Sequence, residues 1–241
     1  MSTRNGGTAL ALHRTDIDGA AVVRPAGRLD LTTYRDLRDG LLRCAVGEPT
    51  AVVVRLDDGF EYATLAFTSV FVTVWLRVSE WPGVPVLLVA ETPGHRSALA
   101  TGRVSALPRF TTLDAALAAV ERPSERTRAE TQLPGSPISA RLARRYVRAA
   151  CERWDVTDLT DHAMTVATEL VENAVRHGRS APVLRLELRD HRLTVAVRDE
   201  NPDRSGEWSS GRGLAIVSSL SREWGSLPSP RRGKVVWAVL G

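Results

Sequence analysis

The chain has 241 residues, 43% hydrophobic and 25% charged, a globular composition that excludes wholesale disorder and fibrous repeats and points to two small domains or one large one. Residues 1–121 hold 12 Arg against 13 acids, whereas residues 122–241 hold 20 basic residues against 15 acids. Only 5% of residues are aromatic, so the stacking platforms of a nucleic-acid surface are missing and direct nucleic-acid binding is not expected. From the N-terminus, Ala9 to Leu12 and Ala21 to Arg24 predict two strands joined by an Asp18-Gly19 turn. Thr32 or Thr33 caps a helix through Leu37, Leu41 and Leu42. The β-branched run Ala51 to Leu56 predicts a strand buried on both faces. A helix over Leu65 to Val78, a strand over Val84 to Val89, a helix opening at Pro93 and another from Thr112 or Asp114 to Val120 follow. Such alternation predicts a mainly parallel sheet covered by helices.

Residues from about Arg122 to Ser139 are rich in Pro, Ser and charge and lack an apolar period, which predicts a linker ending in a short strand near Gln132-Leu133. Beyond it, Ser139 to Trp154 predicts an amphipathic helix with Leu142, Tyr146, Val147 and Ala150 inward. A longer helix starts at Asp158 or Thr160 and ends at His177, with Gly178 as its cap. Val183 to Leu188 and Leu193 to Val197 alternate as a strand pair around His191. A loop with Pro202, Gly206, Gly211 and Gly213 leads to a helix over Leu214 to Leu220, and Lys234 to Leu240 is a last strand. This order predicts an α/β sandwich, with helices on one face of a mixed sheet.

Ala63 to Leu76, the longest apolar stretch, is shorter than the ~20 residues that span a bilayer, and the polar start lacks the apolar core of a secretory signal. Cys44 and Cys151 are far apart with no CxxC spacing, so neither a disulfide framework nor a zinc site is expected. A cytoplasmic protein without membrane association is the expectation. Lys234 is the lone lysine among the 32 basic residues, which reads as a compositional habit.

Three segments could carry chemistry. In Thr168-Glu-Leu-Val-Glu-Asn-Ala-Val-Arg-His-Gly178, Glu169 and Asn173 are spaced i, i+4 and point the same way. A carboxamide oxygen suits Mg²⁺ held jointly with phosphates, and a carboxylate one turn earlier suits a general base; the alternative is two polar residues on a solvated face. Glu172 and Arg176 have the same spacing and predict a surface ion pair. Asp199, at the end of a strand, could accept a hydrogen bond from an exocyclic amine or start an Asx-turn. Gly211-Arg-Gly213-Leu214 places two glycines before a helix, where backbone N–H groups can approach phosphate oxygens.

In that order, Glu-x-x-x-Asn on a helix, Asp after a strand, Gly-x-Gly-Leu at a helix start and a final strand resemble the GHKL (Bergerat-fold) ATPase superfamily. The wording of the helix is similar to its anti-sigma factor serine kinase branch. The resemblance covers about Gln132 to Leu240. It implies ATP and Mg²⁺ as cofactors, with Asn173 holding the metal, Glu169 as general base and Asp199 reading adenine. Gly211 and Gly213 would line the phosphate-side loop, with Leu214 beside them. The second box of the family usually reads Asp-x-Gly-x-Gly; here it is Asp199-Glu-Asn201-Pro-Asp203, without either glycine.

About Thr8 to Arg122 resembles STAS domains, the sulfate transporter and anti-sigma antagonist fold. Gly27-Arg-Leu-Asp-Leu-Thr-Thr-Tyr-Arg-Asp-Leu looks like its strand-to-helix entry and Val52-Val-Val-Arg-Leu like its central strand. Antagonists carry Asp-Ser-Ser-Gly after this strand; here the segment is Ala63-Thr64-Leu65-Ala66, so the phosphate-accepting position is Leu65. Thr64 is either a displaced acceptor or a helix N-cap. The organisation expected is therefore an α/β STAS-like domain over 8–121, a linker over 122–131 and a GHKL ATPase-like α/β sandwich over 132–241.

The resemblances imply an ATP-binding partner-switching regulator, similar to an anti-sigma factor and to a serine/threonine kinase of a separate STAS antagonist. The partners implied are a sigma factor or a STAS-type antagonist, and a homodimer is among the assemblies allowed. Basic residues on the helix bearing Arg141, Arg144, Arg145 and Arg148 would help engage the partner; the alternative is a solvated face. A different reading is a non-catalytic interaction scaffold in which both domains have lost their chemistry, which the altered second box favours. A sensor histidine kinase fragment fits less well, because neither His162 nor His177 lies on a preceding dimerisation helix.

Overall fold

The computed structural model describes residues 10–79, 81–120, 127–177, 181–200, 212–229 and 233–241, and the chain divides into two units, Met1–Arg122 and Pro123–Gly241. In the first, β1 (Ala11–Ile17) and β2 (Ala20–Leu29) form an antiparallel hairpin. Its turn is Asp18-Gly19, both at positive φ, which matches the twist of the strands it joins. Then come α1 (Tyr34–Val46), β3 (Val52–Leu56), β4 (Phe60–Tyr62), a 3₁₀ turn over Leu65–Thr68 and α2 (Ser69–Ser79). β5 (Val86–Ala90), α3 (Pro93–Leu99), β6 (Arg109–Phe110) and α4 (Leu113–Ala118) complete the unit.

The sheet runs β1-β2-β3-β5-β6, with β4 on the far part of β2, and every pairing except β1 with β2 is parallel. Val52, Val53, Val54 and Leu56 are all buried, as a strand covered on both faces requires. Ala116 of α4 packs with Val53 and Val89 on one face, while α1 contacts β2, β3 and α2. His95 is buried in the first turn of α3, and its Nε2 lies 2.9 Å from the Asp57 carbonyl. Cys44 and Cys151 are buried and unpaired.

The second unit begins earlier than the sequence suggested. Residues 127–131, expected within the linker, belong to β7 (Thr127–Gln132), which pairs antiparallel with β8 (Val183–Arg189). The strand Thr-Arg-Ala-Glu-Thr-Gln has no apolar face to reveal it, because it is an edge strand whose residues are exposed or half-buried. Two helices follow, α5 (Ile138–Arg153) and α6 (Thr160–His177). β9 (Arg192–Asp199), α7 (Arg212–Leu220), β10 (Glu223–Pro228) and β11 (Lys234–Leu240) close the unit.

Its sheet runs β10-β11-β9-β8-β7 and is antiparallel at every pairing, not mixed as expected. The reason is β10, which the sequence did not disclose. A direct β9–α7–β11 crossover would leave β11 parallel to β9. The intervening edge strand turns the chain back once more, so β11 returns antiparallel. Leu170, Val171 and Ala174 of α6 pack on Leu193, Val195 and Val197 of β9 and on Val236, Ala238 and Leu240 of β11. Among the described residues no helix is long and apolar enough to cross a membrane.

Candidate functional site

The apolar stripe of α6 is Ala163, Val166, Ala167, Leu170, Val171 and Ala174, all essentially buried. Glu169 and Asn173 fall on the border of that stripe and are half-buried. At 100° per residue they share one edge of the helix, between the sheet-facing side and the exposed side that carries Thr165, Glu172 and Arg176. A carboxylate and a carboxamide one turn apart on such an edge offer hard oxygen donors to whatever lies alongside.

What lies alongside is the start of α7. Val217 joins the core and Leu220 packs against it, so α7 lies on α6. A Cβ added to Gly213 would collide with the Glu169 carboxylate. Only a glycine lets the α7 backbone come this close without moving the acid. The structure thus brings Glu169 and Gly213 into contact, with Asn173 one turn further along α6 and Leu214 half-buried beside the glycine. Gly211, the 201–203 segment after Asp199 and Gly178 lie outside the described residues.

Asp199 ends β9. Leu193, Val195 and Val197 face the helices, and strand alternation puts Asp199 on the same side. It is 2% exposed. Directly opposite it in the ladder stands Lys234, with Nζ 4.0 Å from the carboxylate Oδ2. Val236, Ala238 and Leu240 belong to the helix-side core, so Lys234 faces that side too, and it is only 8% exposed. Gly233 has φ +88°, and a Cβ there would run into the Asp199 carbonyl and the Glu200 backbone. Lys234 is the residue sequence reasoning passed over. Its one signal was being the lone lysine among 32 basic residues.

Other expected residues are elsewhere. Glu172 and Arg176 form no ion pair in the described residues; with Ser136, Pro137, Ala140 and Val175 they line a cavity of about 320 Å³. On α5, Arg144 donates to the Thr168 hydroxyl at 3.3 Å. Arg145 and Arg148 line a cavity of about 580 Å³ beside Tyr146 and the β7 residues Thr131 and Gln132. In the first unit, Thr64 is at the N-cap of the 3₁₀ turn, but its side chain accepts no capping hydrogen bond. It is exposed, and Leu65 beside it is 59% exposed.

Residues 133–240 match the family model of the histidine kinase-like ATPase domain. A comparison with curated proteins finds no match. Among solved structures, an anti-sigma factor antagonist from Mycobacterium paratuberculosis is 22% identical with a TM-score of 0.37, the match covering 46% of this chain and 94% of that one. The RsbU and RsbW domains of Rv1364c from Mycobacterium tuberculosis are 21% identical with a TM-score of 0.37, covering 50% of this chain and 34% of that one. The anti-sigma factor antagonist SpoIIAA in its unphosphorylated form is 17% identical with a TM-score of 0.32, covering 46% of this chain and 94% of that one.

Proposed function

We propose that the second unit binds Mg-ATP on the α6–α7 side of its sheet and that the chain is a partner-switching regulator acting as a serine/threonine kinase on a separate STAS-type protein. One observation carries the reading: within the span matched by the ATPase family model, Gly213 leaves no Cβ between the start of α7 and the Glu169 carboxylate. The donor set fits the cofactor. Asn173 supplies a neutral oxygen of the kind Mg²⁺ accepts while keeping waters and phosphate oxygens as its other ligands. Bound there, Mg²⁺ would neutralise phosphate charge. Asn173 would hold the metal and Asp199 would accept a hydrogen bond from the adenine amine. Gly213 and Leu214 would flank the phosphate side, together with Gly211. Glu169 would take the proton from the attacking hydroxyl of the partner.

The first unit supplies the interaction surface in this scheme. Leu31 and Leu65 follow strand ends that pair directly, β2 with β4, and are exposed at 82% and 59%. Leu65 has no hydroxyl, so the phosphate acceptor is on another molecule, a sigma factor being the competing ligand of the second unit. Calorimetry with Mg-ATP tests the binding step. The native chain gives a saturable heat and Asn173→Ala removes it; binding unchanged in Asn173→Ala takes the metal role from this residue. Transfer of labelled phosphate to a STAS protein, lost in Glu169→Ala, tests the kinase step. The scaffold reading rests on Asn201-Pro-Asp203 standing where the family has glycines. It predicts no heat with Mg-ATP and partner binding indifferent to nucleotide.

A further inference from the structure

β7 closes one side of the second unit's sheet, and among the described residues no strand lies beyond it. The Leu133 N–H donates to the Pro182 carbonyl at 2.8 Å, in step with the β7–β8 register. Inward and outward backbone groups alternate along an antiparallel edge. The N–H and C=O of Glu130 and Gln132 therefore point away from β8, and both residues are exposed. Outward-facing backbone groups in a row are a template for another extended chain. Beside this edge lies the cavity of about 580 Å³, with the end of β7 on one side and α5 on the other. Leu142 and Tyr146 pack against the core and give it an apolar floor, whereas Arg145 and Arg148 on its wall are exposed. α5 holds five arginines against one acid, Glu152. The Glu130 carboxylate does not offset them. It accepts from Arg128 at 2.9 Å and from Arg185 at 3.4 Å, on the sheet face away from Leu184, Leu186 and the helices.

We propose that β7 takes up an extended, acidic segment of another protein as a sixth strand, whose alternate side chains enter the α5–β7 groove. Its backbone bonds to Glu130 and Gln132, two of its carboxylates meet Arg145 and Arg148, and an apolar side chain covers Leu142. Alternate residues of a strand are ~6.6 Å apart, close to the ~5–6 Å between residues one turn apart on a helix, so two successive groove-facing acids can reach the two arginines. A second copy of this chain suits the edge less well. Pairing β7 with β7 about a two-fold axis keeps both helix layers on one side of the joined sheet. The two α5 helices would then set arginine against arginine across the groove. The inference uses no residue of the nucleotide site, and its failure leaves that reading untouched.

The probe is a fluorescein-labelled peptide, Thr-Glu-Thr-Glu-Thr-Leu-Thr-amide, titrated with the full chain and followed by fluorescence anisotropy. Saturable binding is expected. Two further peptides carry backbone N-methyl groups on the odd or on the even residues. One should bind at least about tenfold more weakly, because its donors to β7 are gone, while the other stays within about threefold of the parent. Replacing both Glu of the peptide by Gln should weaken binding about fivefold or more, and so should Arg145→Gln combined with Arg148→Gln in the chain. The peptide and chain changes together should cost little more than either alone, as for groups in direct contact. Gln132→Pro removes one outward N–H and leaves the β7–β8 bonds in place. It should abolish binding with the melting temperature unchanged; should that variant not fold, the two methylated peptides carry the same test. No saturable binding, an equal effect of both methylations, or indifference to the two arginines overturns the proposal. So does a concentration-dependent dimer in sedimentation that Gln132→Pro dissolves, because a second copy then occupies the edge.

Discussion

Two glycines of the second unit show how one missing methyl can serve different ends. At Gly213 the atom in the way is the carboxylate of Glu169, the far end of a flexible side chain. A Cβ there displaces the acid at little cost, and alanine favours the helix by up to about 1 kcal/mol over glycine. Gly213→Ala is therefore expected to leave the melting temperature unchanged or raised by a few degrees, while lowering phosphate transfer at least tenfold if Glu169 is the base. At Gly233 the obstacle is backbone, with the Glu200 Cα 2.6 Å from the added carbon and φ at +88°. Gly233→Ala should cost about 2 kcal/mol or more, because neither chain can yield. Urea denaturation of both variants checks the contrast, and a destabilised Gly213→Ala would mean that Glu169 has no room to move. The spacing of Glu169 and Asn173 was legible in the sequence because it is a local helical relation. Lys234 was not, since its meaning comes from a partner 35 positions away across a ladder that only pairing defines.

At the scale of elements, legibility followed hydrophobic pattern. α5 and α6 carry clear apolar stripes, and the expected helices, one over 139–154 and one from 158 or 160 to 177, match Ile138–Arg153 and Thr160–His177 closely. β5 and β11 are uninterrupted buried runs, β3 is broken only by the half-buried Arg55, and all three were visible as such. β7 was visible only at its Gln132 end and β10 not at all, because edge strands have no continuous buried face to pattern; β10 even contains Gly225, whose absent side chain leaves space for the Trp237 ring. The family-model match starts at residue 133 and so leaves β7 out, which permits a test. A fragment of residues 123–241 retains the five-stranded sheet, whereas one of residues 133–241 strips β7 from β8 and exposes the edge of Leu184 and Leu186, both fully buried in the structure. Re-exposing part of two leucines costs about 2–4 kcal/mol at ~1.5–3 kcal/mol per fully exposed side chain. The shorter fragment should unfold at correspondingly lower urea; equal midpoints would show that β7 is ornamental to this unit.

For the molecule as a whole, the two units each hold a core of their own, one around Val53 and Val89 and the other around Leu170, Val195 and Ala238. The residues assigned to the nucleotide all belong to the second, and Thr64 and Leu65 to the first. A ligand that binds only the folded form stabilises it by RT ln(1 + [L]/Kd), about 2.7 kcal/mol at a hundredfold excess over Kd. Mg-ATP should thus raise the melting temperature of the 123–241 fragment by several degrees and leave a 1–122 fragment unmoved. Differential scanning calorimetry of the two fragments reads this directly. The same titration in Asn173→Ala separates metal-dependent binding from non-specific attraction to the basic half, since the substitution leaves the fragment's 19 basic residues in place. A shift that survives the substitution would be ascribed to charge alone. A shift in the first fragment would place the nucleotide where no residue of the α6–α7 edge could hold it, and the division of labour between the units would have to be redrawn.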